Sequence, residues 1–283
     1  VQDCDTVDYS KLGADIGVVT MYDMIEENFV AHRRLLSAGM NVICHGSESY
    51  YPQVSNPEIA RQLDALAKAK NVTFTGTGVW DMSRIWSALL VAGVCDEIQS
   101  IHNSSLTNLA TFGTAIMINA GVGATPEELA KKMATTNPTV GGQFYRFILN
   151  LVLNRLGYTI KSSTVRQEPF ILEKPLYCEA LKKQLPAGVC AGLRGVVEAT
   201  TWEGVTGSAS IETRLLLNDS EREHMQWQIK GNMLSPSVRV ERDNGHYMQA
   251  LSVFNRIQDV IAAPPGLQLL TDLPPVMRHS AMQ

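Results

Sequence analysis

The sequence predicts an α/β fold, in which a parallel sheet wound with helices is followed by a second α+β domain on a mostly antiparallel sheet. Three observations carry this. Residues 15–92 alternate short apolar strands with amphipathic helices over short links, which implies right-handed crossovers in a parallel sheet. After about residue 93 the texture shifts to longer stretches of strand-like alternation interrupted by two helices. A chain of 283 residues, 45% hydrophobic and 18% charged, is long enough to bury a core in each of two domains. The expected division is residues 1–92, 93–245 and a carboxy-terminal segment 246–283 that returns to the first domain.

The elements follow in order. Asp15–Met21 reads as a strand, and residues 26–38 place Phe29, Val30 and Leu36 at helical spacing before a natural stop at Gly39. Asn41–Cys44 is a short buried strand. Asn56 caps a helix over Pro57–Lys70, with proline at its first position. Val72–Thr75 is a third strand, and Gly76-Thr77-Gly78 leads into a helix near Trp80–Val91. Beyond that, Glu97–Leu106, Ser208–Leu217 and Trp227–Gly231 alternate as strands. One helix opens at Thr125-Pro126-Glu127-Glu128 and another spans Gly142–Leu156. The last helix, Met248–Ala262, stops at Ala263-Pro264-Pro265-Gly266.

Composition excludes several classes. A net charge of −4, with no basic run interleaved with aromatics, argues against a nucleic-acid or anionic-membrane partner. No apolar run approaches the roughly 18 residues needed to cross a bilayer. The five cysteines are scattered without a CxxC, so neither a disulfide framework nor a zinc site is expected, and a reducing, cytoplasmic setting fits. The six histidines form no HxH or HExxH spacing, and no metal is expected.

Parallel sheets bind ligands at the carboxyl ends of their strands. Three segments fall at that edge: Thr20-Met21-Tyr22, the stretch HGSESYYPQ (residues 45–53) containing Glu48, and Gly76-Thr77-Gly78. No GxGxxG is present, and Gly121-Val122-Gly123 lacks a preceding strand and reads as a plain turn. Periodicity leaves two options open: a domain that never bound a dinucleotide, or a chain without the first elements of one.

The motifs Ala38-Gly39-Met40-Asn41-Val42-Ile43, Glu48 with Tyr51-Pro52, and Gly76-Thr77-Gly78 occur in the order and spacing of a known family. So do Phe112-Gly113, the run Gly121 to Glu128, and Asn255 with Ala263-Pro264-Pro265-Gly266-Leu267. On these the chain resembles the NAD(P)-dependent 2,4-diaminopentanoate dehydrogenases and the related native amine dehydrogenases, built like dihydrodipicolinate reductase. The likeness covers nearly all of the chain, while the family's amino-terminal strand, Gly-rich turn and first helices have no counterpart. The sequence is therefore read as the remainder of a Rossmann-like cofactor domain, then a substrate and dimerisation domain. Trp80 and Asp81 depart from the family's Asn-Pro after the GTG, which favours a bulkier, less polar pocket wall. His246-Tyr247-Met248-Gln249 replaces a small, Gly- and Thr-rich lead-in to the last helix.

The resemblance implies an oxidoreductase that moves hydride between NAD or NADP and a ketone/amine pair, with ammonia as co-substrate and a homodimer as the assembly. Within it Glu48 holds ammonia or the amine and takes its proton; the plain alternative is a solvated loop acid. Thr20, Met21 and Tyr22 line the nicotinamide ribose, or merely pack. Gly76 and Gly78 let the backbone approach the ring, or only make a tight turn. Asn255 suits the nicotinamide carboxamide, having both donor and acceptor, or caps a local turn. Trp80, Trp86 and Asn119 are candidates for the substrate wall, although large aromatics near a helix start are commonly core. His45 is a rival base, and Ser49, Tyr50 and Tyr51 form no triad with any His–Asp pair. The rival functions are a 2,4-diaminopentanoate-type dehydrogenase and a non-catalytic ligand-binding scaffold.

Overall fold

The structure, a computed structural model, describes residues 2–135, 140–242 and 245–278. The chain divides into two compact units, Val1–Trp86 with Asn244–Gln283, and Ser87–Asp243. These divisions fall at 86/87 and 243/244, where the sequence reading expects 92/93 and 245/246; residues 279–283 of the expected carboxy-terminal segment lie outside the described residues.

The first unit opens with strand β1 (Ile16–Val19), helix α1 (Ile25–Ser37) and strand β2 (Asn41–Cys44). The chain reverses out of α1 through Gly39, whose φ of 81° is one that glycine adopts without cost. Next come a 3-10 turn over Ser47–Tyr50, the short helix α2 (Pro52–Ser55), helix α3 (Pro57–Lys70) and strand β3 (Thr73–Gly76). The Asn56 side chain accepts from the Ile59 N–H at 3.2 Å, satisfying one of the orphan donors at the start of α3. Asn41 ties the strands at their amino ends: its amide donates to Asp15 O at 3.0 Å and accepts from Thr73 N at 2.9 Å.

Two segments differ from the sequence reading. The stretch after β2 is not open loop but the 3-10 turn followed by α2. The helix expected near Trp80–Val91 is present over residues 81–92, but its first turn is π-helical rather than α-helical. Trp80 sits at φ 57°, a left-handed conformation that no α-helix runs through, and the chain then forms a π-helical turn over Met82–Trp86.

The second unit begins with α4 (Ser87–Ala92), β4 (Ile98–Asn108), α5 (Thr114–Asn119), α6 (Pro126–Thr135) and α7 (Val140–Arg155). A reciprocal capping box starts α6, with Glu128 N donating to Thr125 Oγ1 at 3.2 Å and Thr125 N donating to a Glu128 carboxylate oxygen at 2.9 Å. Gly121 and Gly123, both at φ 83°, make the turn between α5 and α6, as read from the sequence. The strands are β5 (Ile160–Ile171), β6 (Leu176–Cys178), β7 (Lys183–Leu185), β8 (Cys190–Thr201), β9 (Thr206–Arg214), β10 (Glu223–Gly231) and β11 (Ser237–Arg242). Six of them form a sheet in the order β11-β10-β4-β9-β8-β5, antiparallel except for the β4–β9 pair. Helix α7 packs on this sheet so closely that a Cβ on Gly207 would meet Leu153 at 2.9 Å.

The chain rejoins the first unit as α8 (Gly245–Ala262) and β12 (Gly266–Leu267), completing an all-parallel sheet in the order β1-β2-β3-β12. Val42, Cys44 and Phe74 face a core shared with Leu36 of α1 and Leu63 of α3, while Ile43 packs with Val260 of α8 and Leu273. The strand periodicity of two sends alternate residues to the two helical layers. No helix among the described residues is long and apolar enough to cross a membrane.

His32 of α1 is wholly buried with its ring edge on Phe74, centroids 4.8 Å apart, and neither ring nitrogen has a hydrogen-bond partner among the described residues. Burial pushes its pKa down from 6.5 to about 4. The unfolded chain therefore binds this proton more readily than the folded one. Stability is fully present above about pH 6.5 and is lost as pH falls through about 4, by about 2 kcal/mol between pH 7 and pH 5. Urea unfolding at the two pH values checks this: His32→Leu should remove most of the difference, and an unchanged slope would refute it.

Candidate active site

The carboxyl ends of β1, β2 and β3 lie on one edge of the parallel sheet, because all three run the same way. There the loop after β1 and the turn after β2 are fastened together. Ile25 N donates to Glu48 Oε2 at 2.9 Å, so Glu48 supplies the first turn of α1 with the acceptor that Met24, at the cap position, does not. Glu48 N donates to Asp23 O at 3.1 Å and Ser47 N to Asp23 Oδ1 at 3.3 Å. Asn28, fully buried, holds the backbone of Tyr22 with both ends of its amide, at 2.6 and 3.3 Å. Glu48 is half-buried and anchored through one oxygen, and its Oε1 accepts no hydrogen bond among the described residues.

Thr20, Met21 and Tyr22 are exposed, Met21 at 56% and Tyr22 at 53%. The glycines have a local reason. A Cβ on Gly76 would lie 1.9 Å from the Ser49 carbonyl oxygen, and one on Gly78, at φ 103°, would lie 2.3 Å from Val253 Cγ2. The space each glycine frees is filled by the protein itself: the Ser47–Tyr50 turn in one case and α8 in the other.

Between them lies a buried polar cluster. Asp81, 0% exposed, accepts from Tyr50 OH at 2.8 Å, from Gly78 N at 3.0 and 3.1 Å, and from the Thr77 hydroxyl. Val79 N donates to the Tyr50 oxygen. Burial, then the Asp81 charge, hold the Tyr50 phenol well above its usual range, so it stays a donor to Asp81. Burial lowers the His45 pKa, against an opposing pull from Asp81, which favours the neutral imidazole.

Trp80 is buried, its indole N–H donates to Gly245 O at 2.7 Å, and the Arg84 guanidinium stacks 4.5 Å from its ring centroid. Trp80 and Asn255 meet in one open groove of about 190 Å³, walled also by Ser83, Met248, Leu251 and Ser252. Asn255 is partly buried, and its side-chain amide makes no hydrogen bond among the described residues. Trp86 closes the π-helical turn with its indole nitrogen unpartnered and does not line that groove. Asn119 belongs to the second unit, is exposed at the end of α5, and accepts from Lys132 Nζ at 3.3 Å.

Sequence reasoning passed over Tyr50, Thr77 and Asp81 as a set. The spacing of Thr77 and Asp81, with glycine between, held the signal, but the 31 residues from Tyr50 to Asp81 hid the third member. The exposed Asp3, Cys4 and Asp5 could together reach one ion, but Asp5 is paired with Arg34 at 2.7 Å on the surface and the group carries no metal reading.

Known proteins share this architecture. The structure of amine dehydrogenase from Mycobacterium smegmatis superposes with a TM-score of 0.80 at 26% identity, over 96% of this chain and 80% of that one. A 2,4-diaminopentanoate dehydrogenase from Acetoanaerobium sticklandii is 27% identical over 279 residues, covering 94% of this chain and 75% of the relative. The myo-inositol 2-dehydrogenase of Lactobacillus plantarum, at 11% identity and a TM-score of 0.53 over 90% of this chain and 71% of its own, shares the fold. A parallel sheet of Rossmann-like type followed in the chain by a mixed sheet, with these relatives, defines an oxidoreductase of the dehydrogenase class. The chain belongs to the 2,4-diaminopentanoate dehydrogenase family, whose carboxy-terminal domain matches residues 86–282.

Proposed function

We propose that the protein catalyses reductive amination of small ketones or aldehydes with ammonia, and the reverse oxidative deamination, using NAD or NADP. The observation that carries this is Glu48. One carboxylate oxygen is anchored on the first amide of α1, and the other accepts no hydrogen bond among the described residues at the carboxyl edge of the sheet. An orientation fixed by one oxygen leaves the second to accept an N–H from ammonium or the amine, and a proton as nitrogen adds to the carbonyl carbon. The residues present also suit the nicotinamide end of a cofactor: the Asn255 amide has a donor and an acceptor to offer a carboxamide, and Met21 and Tyr22 offer exposed surface to a ring and ribose. When bound, that group supplies the hydride. Thr20 directly follows β1 and precedes Met21, and Gly76 and Gly78 flank the turn that leads to Trp80.

A diamine substrate of the 2,4-diaminopentanoate kind is the rival reading, motivated by the family. It needs a second ammonium to be held, and the groove walled by Trp80, Met248, Leu251 and Asn255 presents no carboxylate among the described residues. The groove therefore favours a monofunctional carbon chain against the indole. The five cysteines are all free, which suits a reducing, cytoplasmic setting. A homodimer is the expected assembly, and size-exclusion chromatography with light scattering tests it.

The decisive assay follows NADH or NADPH oxidation with a ketone, with ammonium, and with both. Turnover should require both additions. Turnover without ammonium would count against amine chemistry, turnover confined to diamines would favour the rival, and failure to bind either cofactor would favour a ligand-binding scaffold.

A further inference from the structure

Asp81 is not an ordinary helix cap. A capping carboxylate reaches forward to amides two or three residues ahead, but here Ser83 N and Arg84 N both donate to Trp80 O, at 3.0 and 2.9 Å. The Asp81 carboxylate instead reaches back, to Gly78 N and the Thr77 hydroxyl, and sideways to Tyr50. A wholly buried acid is costly unless each lone pair finds a donor, and these donors all come from the turn that ends β3 and the turn that ends β2.

That arrangement holds a strained residue. Trp80 has a left-handed φ of 57°, rare for a bulky side chain, and such a conformation persists only where its surroundings fix it from several sides. Here Gly78 N is held by Asp81 and Val79 N by Tyr50, while the indole is held by Gly245 O and covered by Arg84. We infer that Asp81 is a positioning residue: with Tyr50 and Thr77 it locks the backbone of Gly78–Val79–Trp80 and so fixes the indole wall on which the substrate's carbon chain rests. The kinetic half of this inference rests on the proposed reductive amination; the locking of the turn does not.

The experiment uses the full chain and the variants Asp81→Asn, Tyr50→Phe, Thr77→Val and Thr77→Ser. Hydrogen-exchange mass spectrometry on the peptide spanning residues 76–81 reads the lock directly. Exchange there should quicken by about tenfold or more in the first three variants, less in Thr77→Ser, which keeps the hydroxyl donor. In the ammonium-dependent assay the same three should raise KM for the ketone about tenfold with kcat changed no more than about threefold, the pattern of lost uniform binding. Unchanged exchange at 76–81 overturns the lock whether or not the protein turns over. Faster exchange with an unaltered KM overturns its role in substrate placement. A parent protein that turns over no ketone, yet shows the exchange pattern, removes the reductive amination reading and leaves the lock standing. Should Asp81→Asn fail to fold, Tyr50→Phe and Thr77→Val carry the same test, since each removes one donor and leaves the acid in place.

Discussion

Glu48→Gln should abolish most ammonium-dependent turnover, lowering kcat by about 10²–10⁴-fold, the range a positioned general base contributes, while the melting temperature barely moves. The two effects separate because Glu48 does two things. Its Oε2 accepts the Ile25 N–H at 2.9 Å, and a glutamine carbonyl can accept the same bond. The position of Oε1 is then taken by an amide NH₂, which donates where the carboxylate accepted, and so meets an ammonium or amine N–H with a like group. Glu48→Ala removes both functions. It should be as inactive as Glu48→Gln and also cost about 1 kcal/mol for the lost acceptor at the start of α1, about 2–4 °C in melting temperature for a chain of this size. Steady-state kinetics with saturating ketone and ammonium, alongside thermal unfolding, checks both. If Glu48→Gln keeps near-parent kcat, the residue is a helix anchor alone and the proposed chemistry falls.

Most of the scaffold could be read along the chain because its signals are local. Asn56 before Pro57, Gly39 after Ser37, and Thr125 three residues before Glu128 each announce a terminus through one or two hydrogen bonds within a few residues, and each is present. Strand β2 and helix α3 start and stop where periodicity places them. The failures cluster where partners lie far apart in sequence. Trp80 does stand at a helix start, but nothing local shows that Gly245, 165 residues on, captures its indole. Glu48 was legible as a strand-end acid, but its attachment to Ile25 crosses 23 residues and two elements. Gly76 and Gly78 suit a close approach of backbone to a ligand, and the structure also gives each a neighbour within the protein, which local sequence cannot specify. For Trp86 and Asn119, position along the chain says little about which side of a turn or which unit a side chain serves.

Gly76→Ala is the second large effect, and it follows from contact distance alone. The added methyl would stand 1.9 Å from the Ser49 carbonyl oxygen, 2.2 Å from its carbon and 2.6 Å from Tyr50 N. These are backbone atoms, so no side-chain rotation relieves the clash, and either β3 or the Ser47–Tyr50 turn has to move. Overpacking against atoms that can adjust costs about 1–3 kcal/mol; against backbone the loss should reach about 3 kcal/mol or more, near 6–12 °C in melting temperature. Gly39→Ala provides the contrast. Its φ of 81° makes alanine there strained, about 1–2 kcal/mol, but no atom lies within 4 Å of the new methyl. The turn that Gly76→Ala displaces carries Glu48, so its kcat should fall with its stability, whereas Gly39→Ala should lose stability and keep kcat. Thermal unfolding and turnover measured on both variants decide the matter: a Gly76→Ala protein as stable and as active as Gly39→Ala would mean that the turn bearing Glu48 does not press against the end of β3 at all.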